Sequence, residues 1–172
     1  QTVYADQPAS SAAPTAGLHF TAALLESLTE QGISVARVEL IVGLDTFKPV
    51  SAQDPRDHVI HSESFKVSAE VLAQCGAARR VVAVGTTSVR ALESAASLGV
   101  GSGRTRLFIH RPYDWKVVDL LMTNFHMPRT TLLMMIDAFV GPRWRTLYAE
   151  AMQEDYRMLS FGDAMLLDRS LN

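Results

Sequence analysis

The sequence predicts an α/β domain built on a largely parallel sheet flanked by helices. Strand-like and helix-like segments alternate along the chain, which is the pattern that such a sheet requires. The β-branched run Arg80 to Val84 passes through Gly85 into the helical stretch Ser88 to Leu98, the junction of a buried strand and its crossover helix. The chain's 172 residues, 48% hydrophobic and 20% charged, suffice for one well-filled core.

Each element has its own signal. Thr21 to Gln31 sets Leu24, Leu25 and Leu28 at helical spacing, and Gly32 stops it. Ile33 to Val42 alternates apolar and polar residues through Val35, Val38 and Leu40 and predicts a strand. An Asp- and Pro-containing loop spans Ser51 to Asp57. Ser64 to Val67 reads as a short strand, and Ser68 caps a helix reaching Cys75. Gly99, Gly101 and Gly103 mark a turn. Arg106 to Ile109 and Val117 to Met122 predict two more strands. Thr130 to Phe139 and Arg143 to Met158 predict closing helices, split by Gly141-Pro142, with a last strand at Ala164 to Leu167.

Several function classes recede on composition. No apolar run reaches the ~18 residues of a membrane span. The start, Gln1-Thr2-Val3-Tyr4, carries neither an initiator Met nor a secretion signal and reads like the middle of a longer protein. Cys75 is the only cysteine, which excludes an intrachain disulfide and fits a reducing cytoplasm. It reads as a packing residue rather than a nucleophile. A net charge of −2 does not mark a nucleic-acid binder. The arginines are local, at Arg79-Arg80, Arg104, Arg106, Arg111, Arg129, Arg143 and Arg145, and permit an RNA-facing patch without requiring one.

Five stretches can carry chemistry. Pro14-Thr15-Ala16-Gly17-Leu18-His19-Phe20 precedes a helix; its small residues let a ligand approach the backbone, and His19 is a candidate base or substrate-orienting group. The alternative is a tight turn around a hydrogen-bonded histidine. Asp57 to Glu63 contains His58 and His61, but no further ligands complete a metal set, so proton transfer or ligand orientation by His61 with Glu63 is preferred over a metal. A solvated loop competes with that reading.

Gly85-Thr86-Thr87-Ser88-Val89-Arg90 stands at a strand-to-helix junction, where ligands of parallel sheets bind. Its hydroxyls and N–H groups can hold a carboxylate or phosphate, and Arg90 can fork onto a carboxylate. Simple helix capping, with Arg90 pairing Glu93, is the alternative. Thr123-Asn124-Phe125-His126-Met127-Pro128 ends a buried strand with a polar cluster. Ser160-Phe161-Gly162-Asp163 is a compact turn whose Asp163 can bind a hydroxyl or cap a helix.

In this order the stretches closely resemble the S-adenosylmethionine:tRNA ribosyltransferase-isomerase family of queuosine biosynthesis. The matching residues are PTAGLHF from Pro14, HSE from His61, VAVGTTSVRALES from Val82, KVVD from Lys116, TNFH from Thr123, TLLM from Thr131 and SFGDAML from Ser160. The resemblance implies that residues 1–172 are the C-terminal portion of an α/β catalytic domain, within a longer protein that also holds an inserted β-barrel domain. Ile41 stands where the family pattern has histidine, Asp45 where it has glycine, and Arg104 where it has tryptophan. His110-Arg111-Pro112-Tyr113 replaces Tyr-Pro-Gly-Tyr.

The resemblance implies transfer and isomerisation of the ribosyl part of S-adenosylmethionine onto 7-aminomethyl-7-deazaguanine at the tRNA wobble position, giving epoxyqueuosine and releasing adenine and methionine. Removal of the C5′ proton beside the sulfonium, and an attacking amine whose free pKa is about 10, both call for a base poised near neutrality. His19, His61 and His126 are therefore expected to line the site as proton-transfer groups. Thr86, Thr87, Ser88 and Arg90 are expected to hold the charged end of S-adenosylmethionine, and Asn124 and Asp163 its ribose or base. No metal, no membrane, a cytoplasmic location and a monomer complete the expectation. The competing readings are a divergent paralogue using S-adenosylmethionine or a related sulfonium on a small molecule, and a non-catalytic RNA- or nucleotide-binding module.

Overall fold

The strand and helix expected on either side of Gly85 form at Val82–Val84 and Thr86–Leu98. The helix is largely buried, but the strand, expected to be buried, lies at a sheet edge with Val82 51% exposed. The computed structural model describes residues 1–6, 10, 12–43, 54 and 58–171. In chain order the elements are α1 (Ala22–Glu30), β1 (Glu39–Ile41), β2 (Glu63–Lys66), α2 (Ala69–Ala77), β3 (Val82–Val84), α3 (Thr86–Leu98), β4 (Ser102–Thr105), β5 (Leu120–Asn124), α4 (Thr131–Val140), α5 (Trp144–Gln153) and β6 (Ala164–Asp168). Short 3-10 turns occur at Thr15–His19, Gly141–Arg143, Leu159–Phe161 and Arg169–Leu171.

Two three-stranded sheets result, ordered β1-β2-β4 and β3-β5-β6. β3 and β5 run parallel, with Val84 opposite Met122. β6 pairs with the other edge of β5 antiparallel, with Asn124 opposite Ala164. Helix α3 touches strands of both sheets. It can do so because small residues, Ala91, Ser94 and Ala95, stand buried among its larger ones. Gly99 ends it in the left-handed conformation, φ 66°.

The α/β class holds, while the expectation of a largely parallel sheet is corrected. Among the described strands only the β3–β5 pair is parallel; the β1–β2, β2–β4 and β5–β6 pairs are antiparallel. The single parallel pair is the one bridged by the α3 crossover, as parallel strands require. The expected strand at Arg106 to Ile109 is also displaced. The strand is β4, inside the glycine-marked segment, because Gly101 O accepts from Val67 N at 2.7 Å. A Cβ on Gly101 would stand 2.7 Å from Val67 O.

The strand expected at Val117 to Met122 begins later, at Leu120, for a tertiary reason. Val117 N and Val118 N donate to one carboxylate oxygen of Glu93, at 2.9 and 3.0 Å. Lys116 N and the Tyr113 hydroxyl donate to the other, at 3.0 and 3.1 Å. Glu93 has no exposed surface, so these four donors constitute its solvation.

Truncating Glu93→Ala strands buried donors that each cost about 1–3 kcal/mol when unsatisfied. Urea unfolding is expected to show a loss on the order of 3 kcal/mol or more, and a loss under 1 kcal/mol would contradict the role given to this carboxylate.

Candidate active site

At the carboxyl ends of β3 and β5, three distant segments are tied together by one asparagine. Thr15 Oγ1 donates to Asn124 Oδ1 at 2.9 Å, and Asn124 Nδ2 donates to the backbone oxygen of Asp163 at 3.1 Å. The two bonds use opposite ends of the amide and so fix its orientation. One amide hydrogen of Asn124 remains to be used, since only one is donated. Asp163 Oδ2 accepts from Arg157 N at 2.6 Å, which leaves its Oδ1 as an acceptor.

Close approach of the first segment depends on small residues. Ala16 and Gly17 are buried in the 3-10 turn. A Cβ on Gly17 would fall 1.8 Å from the Tyr4 hydroxyl oxygen. On the other side, Gly85 carries φ 87°, a conformation that favours glycine, and donates its N–H to Met122 O at 2.8 Å. A Cβ there would lie 4.0 Å from that of Ala16, so the strand-to-helix junction and the Thr15–His19 turn face each other.

His126 follows β5 by two residues. Its Nε2 shares a hydrogen bond with Thr123 Oγ1 (2.9 Å), and its backbone N–H donates to the Tyr148 hydroxyl oxygen at 2.8 Å. Phe125 stands edge-on to Tyr148 at 5.3 Å, so an aromatic wall backs the histidine. Burial drives the His126 pKa down to about 4 and pushes the Tyr148 phenol up to about 12. The imidazole is therefore uncharged at neutral pH.

The remaining expected residues lie in different surroundings. His19 ends the turn that carries Thr15 and is exposed. His61 is exposed two residues before β2. Thr86 is buried at the start of α3, Thr87 is half-buried, and Ser88 donates its hydroxyl to Val84 O at 2.7 Å. Arg90 is 4% exposed and pairs with Glu63 of β2 through Nη1, not with Glu93. Burial pulls its guanidinium down and Glu63 pulls it back up. Its Nε and Nη2 are buried without a hydrogen-bond partner.

Thr15, Thr123 and Arg157 join the cluster without having been singled out from sequence; Thr15 and Thr123 lie inside stretches marked as candidates, whereas nothing local marks Arg157. Among the described residues no group of three His, Cys, Asp or Glu side chains is placed to hold a metal ion. His58 instead lies edge-on to Phe108 at 6.0 Å.

A model of the queuosine biosynthesis protein family matches residues 1–167. The chain belongs to that family. An S-adenosylmethionine:tRNA ribosyltransferase-isomerase of Thiobacillus denitrificans is 51% identical over 178 residues, covering 99% of this chain and 52% of the relative. That of Thermus thermophilus is 55% identical, covering 97% and 51%. The crystal structure of an S-adenosylmethionine tRNA ribosyltransferase from Thermotoga maritima superposes with a TM-score of 0.72 at 42% identity, covering 88% of this chain and 50% of that one. The chain thus spans about half the length of the curated relatives it matches.

Against the queuosine biosynthesis pattern, the described departures fall outside the Asn124 network. Ile41 ends β1 opposite Ser64. Arg104 reaches from β4 to Ser62, donating to its hydroxyl at 3.0 Å and its carbonyl at 2.9 Å. Arg111 pairs with Asp137 at 2.8 Å, and Tyr113 serves Glu93. Asp45 lies outside the described residues.

The depressed His126 pKa has a consequence for stability. The unfolded chain takes up this proton near 6.5 and the folded chain only near 4. Its contribution is full above pH 6.5 and lost as the pH falls to 4, on the order of 3 kcal/mol in all. Denaturant titrations across that window are expected to show this loss in the native chain and a flatter profile in His126→Gln; equal slopes would refute it.

Proposed function

We propose that the chain forms part of the catalytic α/β domain of a cytoplasmic enzyme that transfers and isomerises the ribosyl moiety of S-adenosylmethionine. The acceptor is 7-aminomethyl-7-deazaguanine at the tRNA wobble position, and the products are epoxyqueuosine, adenine and methionine. The observation that carries this reading is identity of 51–55% over 97–99% of the chain to proteins of that name. The polar cluster at the strand ends supports it, because it supplies donors and acceptors where a parallel strand pair meets a helix N-terminus. Among the described residues no helix is long and apolar enough to cross a membrane.

The roles follow from what each side chain has left to offer. Thr86 and Thr87, with the first N–H groups of α3, take the methionyl carboxylate in this assignment; their position at the helix N-terminus supports it. Arg90, one turn further in, is held by Glu63 in a buried pair, with its Nε and Nη2 left to donate. Asn124 offers its second amide hydrogen, and Asp163 its Oδ1, to ribose hydroxyls or the leaving base.

His126 is too weak a base at pKa about 4 to hold a proton at neutral pH. It acts as an uncharged hydrogen-bonding group, held by Thr123 and Tyr148. Proton removal beside the sulfonium and from the attacking ammonium then falls to His19 and His61, the exposed histidines.

Adenine release from S-adenosylmethionine by the full-length protein tests this assignment. It is expected to depend on tRNA carrying the aminomethyl-deazaguanine, with the matching mass gain on the wobble base. Release without tRNA would instead identify a small-molecule paralogue, and no release would identify a binding protein. His19→Ala and His61→Ala are each expected to lower turnover on the order of a hundredfold. His126→Gln, which keeps an amide N–H, is expected to retain more activity than His126→Ala.

A further inference from the structure

Two loops form the rim beside His126 and Asp163, and both are held by the residues that build the site. Residues 127–130 follow His126, and Thr130 Oγ1 donates to Met127 O at 2.8 Å. Residues 154–163 are drawn onto the end of β5 by Leu159 N donating to Phe125 O at 3.0 Å, and by Asn124 holding Asp163. Tyr156 stacks edge-on against Phe125 at 5.8 Å. Among the described residues, the non-glycine positions with left-handed φ are Arg129, Asp155 and Leu159, at 58°, 55° and 59°. All three lie in these loops. Such conformations persist where the surroundings over-determine them and concentrate at binding sites.

The side chains that these loops present are unusual for a solvated rim. Phe161, two residues from Asp163, is 75% exposed at the end of a 3-10 turn. The Arg157 guanidinium lies across Gly162, where a Cβ would meet its Cζ at 3.0 Å. Its Nε stands 3.7 Å from Asp163, and its side chain is 70% exposed. An exposed aromatic ring one residue from Gly162, over which an exposed guanidinium lies, is the combination on which unpaired bases stack. Residues 154–163 carry Glu154, Asp155 and Asp163 against Arg157, so phosphate attraction contributes little here.

We propose that Phe161, with Arg157 laid across Gly162, is a stacking platform for the unpaired RNA nucleotide adjacent to the base that enters the site. This rests on the RNA-modifying function proposed above and adds where the flanking nucleotide lands. It explains why an apolar ring is left in water beside a polar cluster, and it requires no basic surplus of a chain with net charge −2.

The test uses the full-length protein and an anticodon stem-loop RNA carrying 2-aminopurine next to the wobble position. Wild type is expected to quench that fluorophore on binding. Phe161→Leu, which keeps an apolar side chain without a π face, is expected to bind about fivefold or more weakly and to lose the quench. Phe161→Trp is expected to restore both. Circular dichroism checks the folding of each variant. Wild-type affinity and quench in Phe161→Leu would overturn the platform, as would equal weakening in the Leu and Trp variants. The outcome is read from RNA binding, so absence of tRNA-dependent adenine release would refute the catalytic reading separately.

Discussion

The Glu93 carboxylate, with no exposed surface, accepts hydrogen bonds from Tyr113, Lys116, Val117 and Val118. A buried carboxylate must be satisfied, and here the segment leading into β5 is what satisfies it. That contact holds the start of β5 against the middle of α3, while the first residues of α3 follow directly from β3. The parallel register of Val84 opposite Met122 then leaves Asn124 at the strand end, beyond the last paired residue of β3. The position of the candidate site is thus a consequence of one interior carboxylate as much as of the residues that line it.

The site built on this base is polar yet largely uncharged. Asn124 joins Thr15, 109 residues earlier, to Asp163, 39 residues later, through an amide that carries no net charge. His126 is neutral because burial disfavours its cation. Two of the charges around them are paired: Asp163 with Arg157, and Arg90 with Glu63. A cationic sulfonium substrate meets no fixed cation among Asn124, Asp163 and His126. The buried Arg90 beyond the first turn of α3 is offset by its partner. Preorganised dipoles of this kind stabilise developing charge without the reorganisation that water would need.

What was legible in the sequence was local. The β-branched run into Gly85, the helix after it and the Thr-Asn-Phe-His cluster closing a buried strand all lie where pattern alone put them. What was not legible depended on partners far along the chain. Val117 and Val118 have strand-like side chains, but their N–H groups are taken by Glu93, so β5 starts three residues later than expected. Arg90 and Glu93 have helical spacing for a pair, yet each finds its partner elsewhere, Glu63 in β2 and the segment before β5. The burial that neutralises His126 comes from its tertiary surroundings, among them Tyr148 of α5. Parallel order was inferred from alternation of strands and helices, but alternation does not fix direction, and β6 returns antiparallel alongside β5.

The most direct test of the account is a crystal structure of the full-length protein with S-adenosylmethionine bound. The account predicts the methionyl carboxylate against Thr86 and Thr87 and a ribose or adenine atom within hydrogen-bond distance of Asn124 or Asp163. A ligand bound away from the ends of β3 and β5 would contradict it.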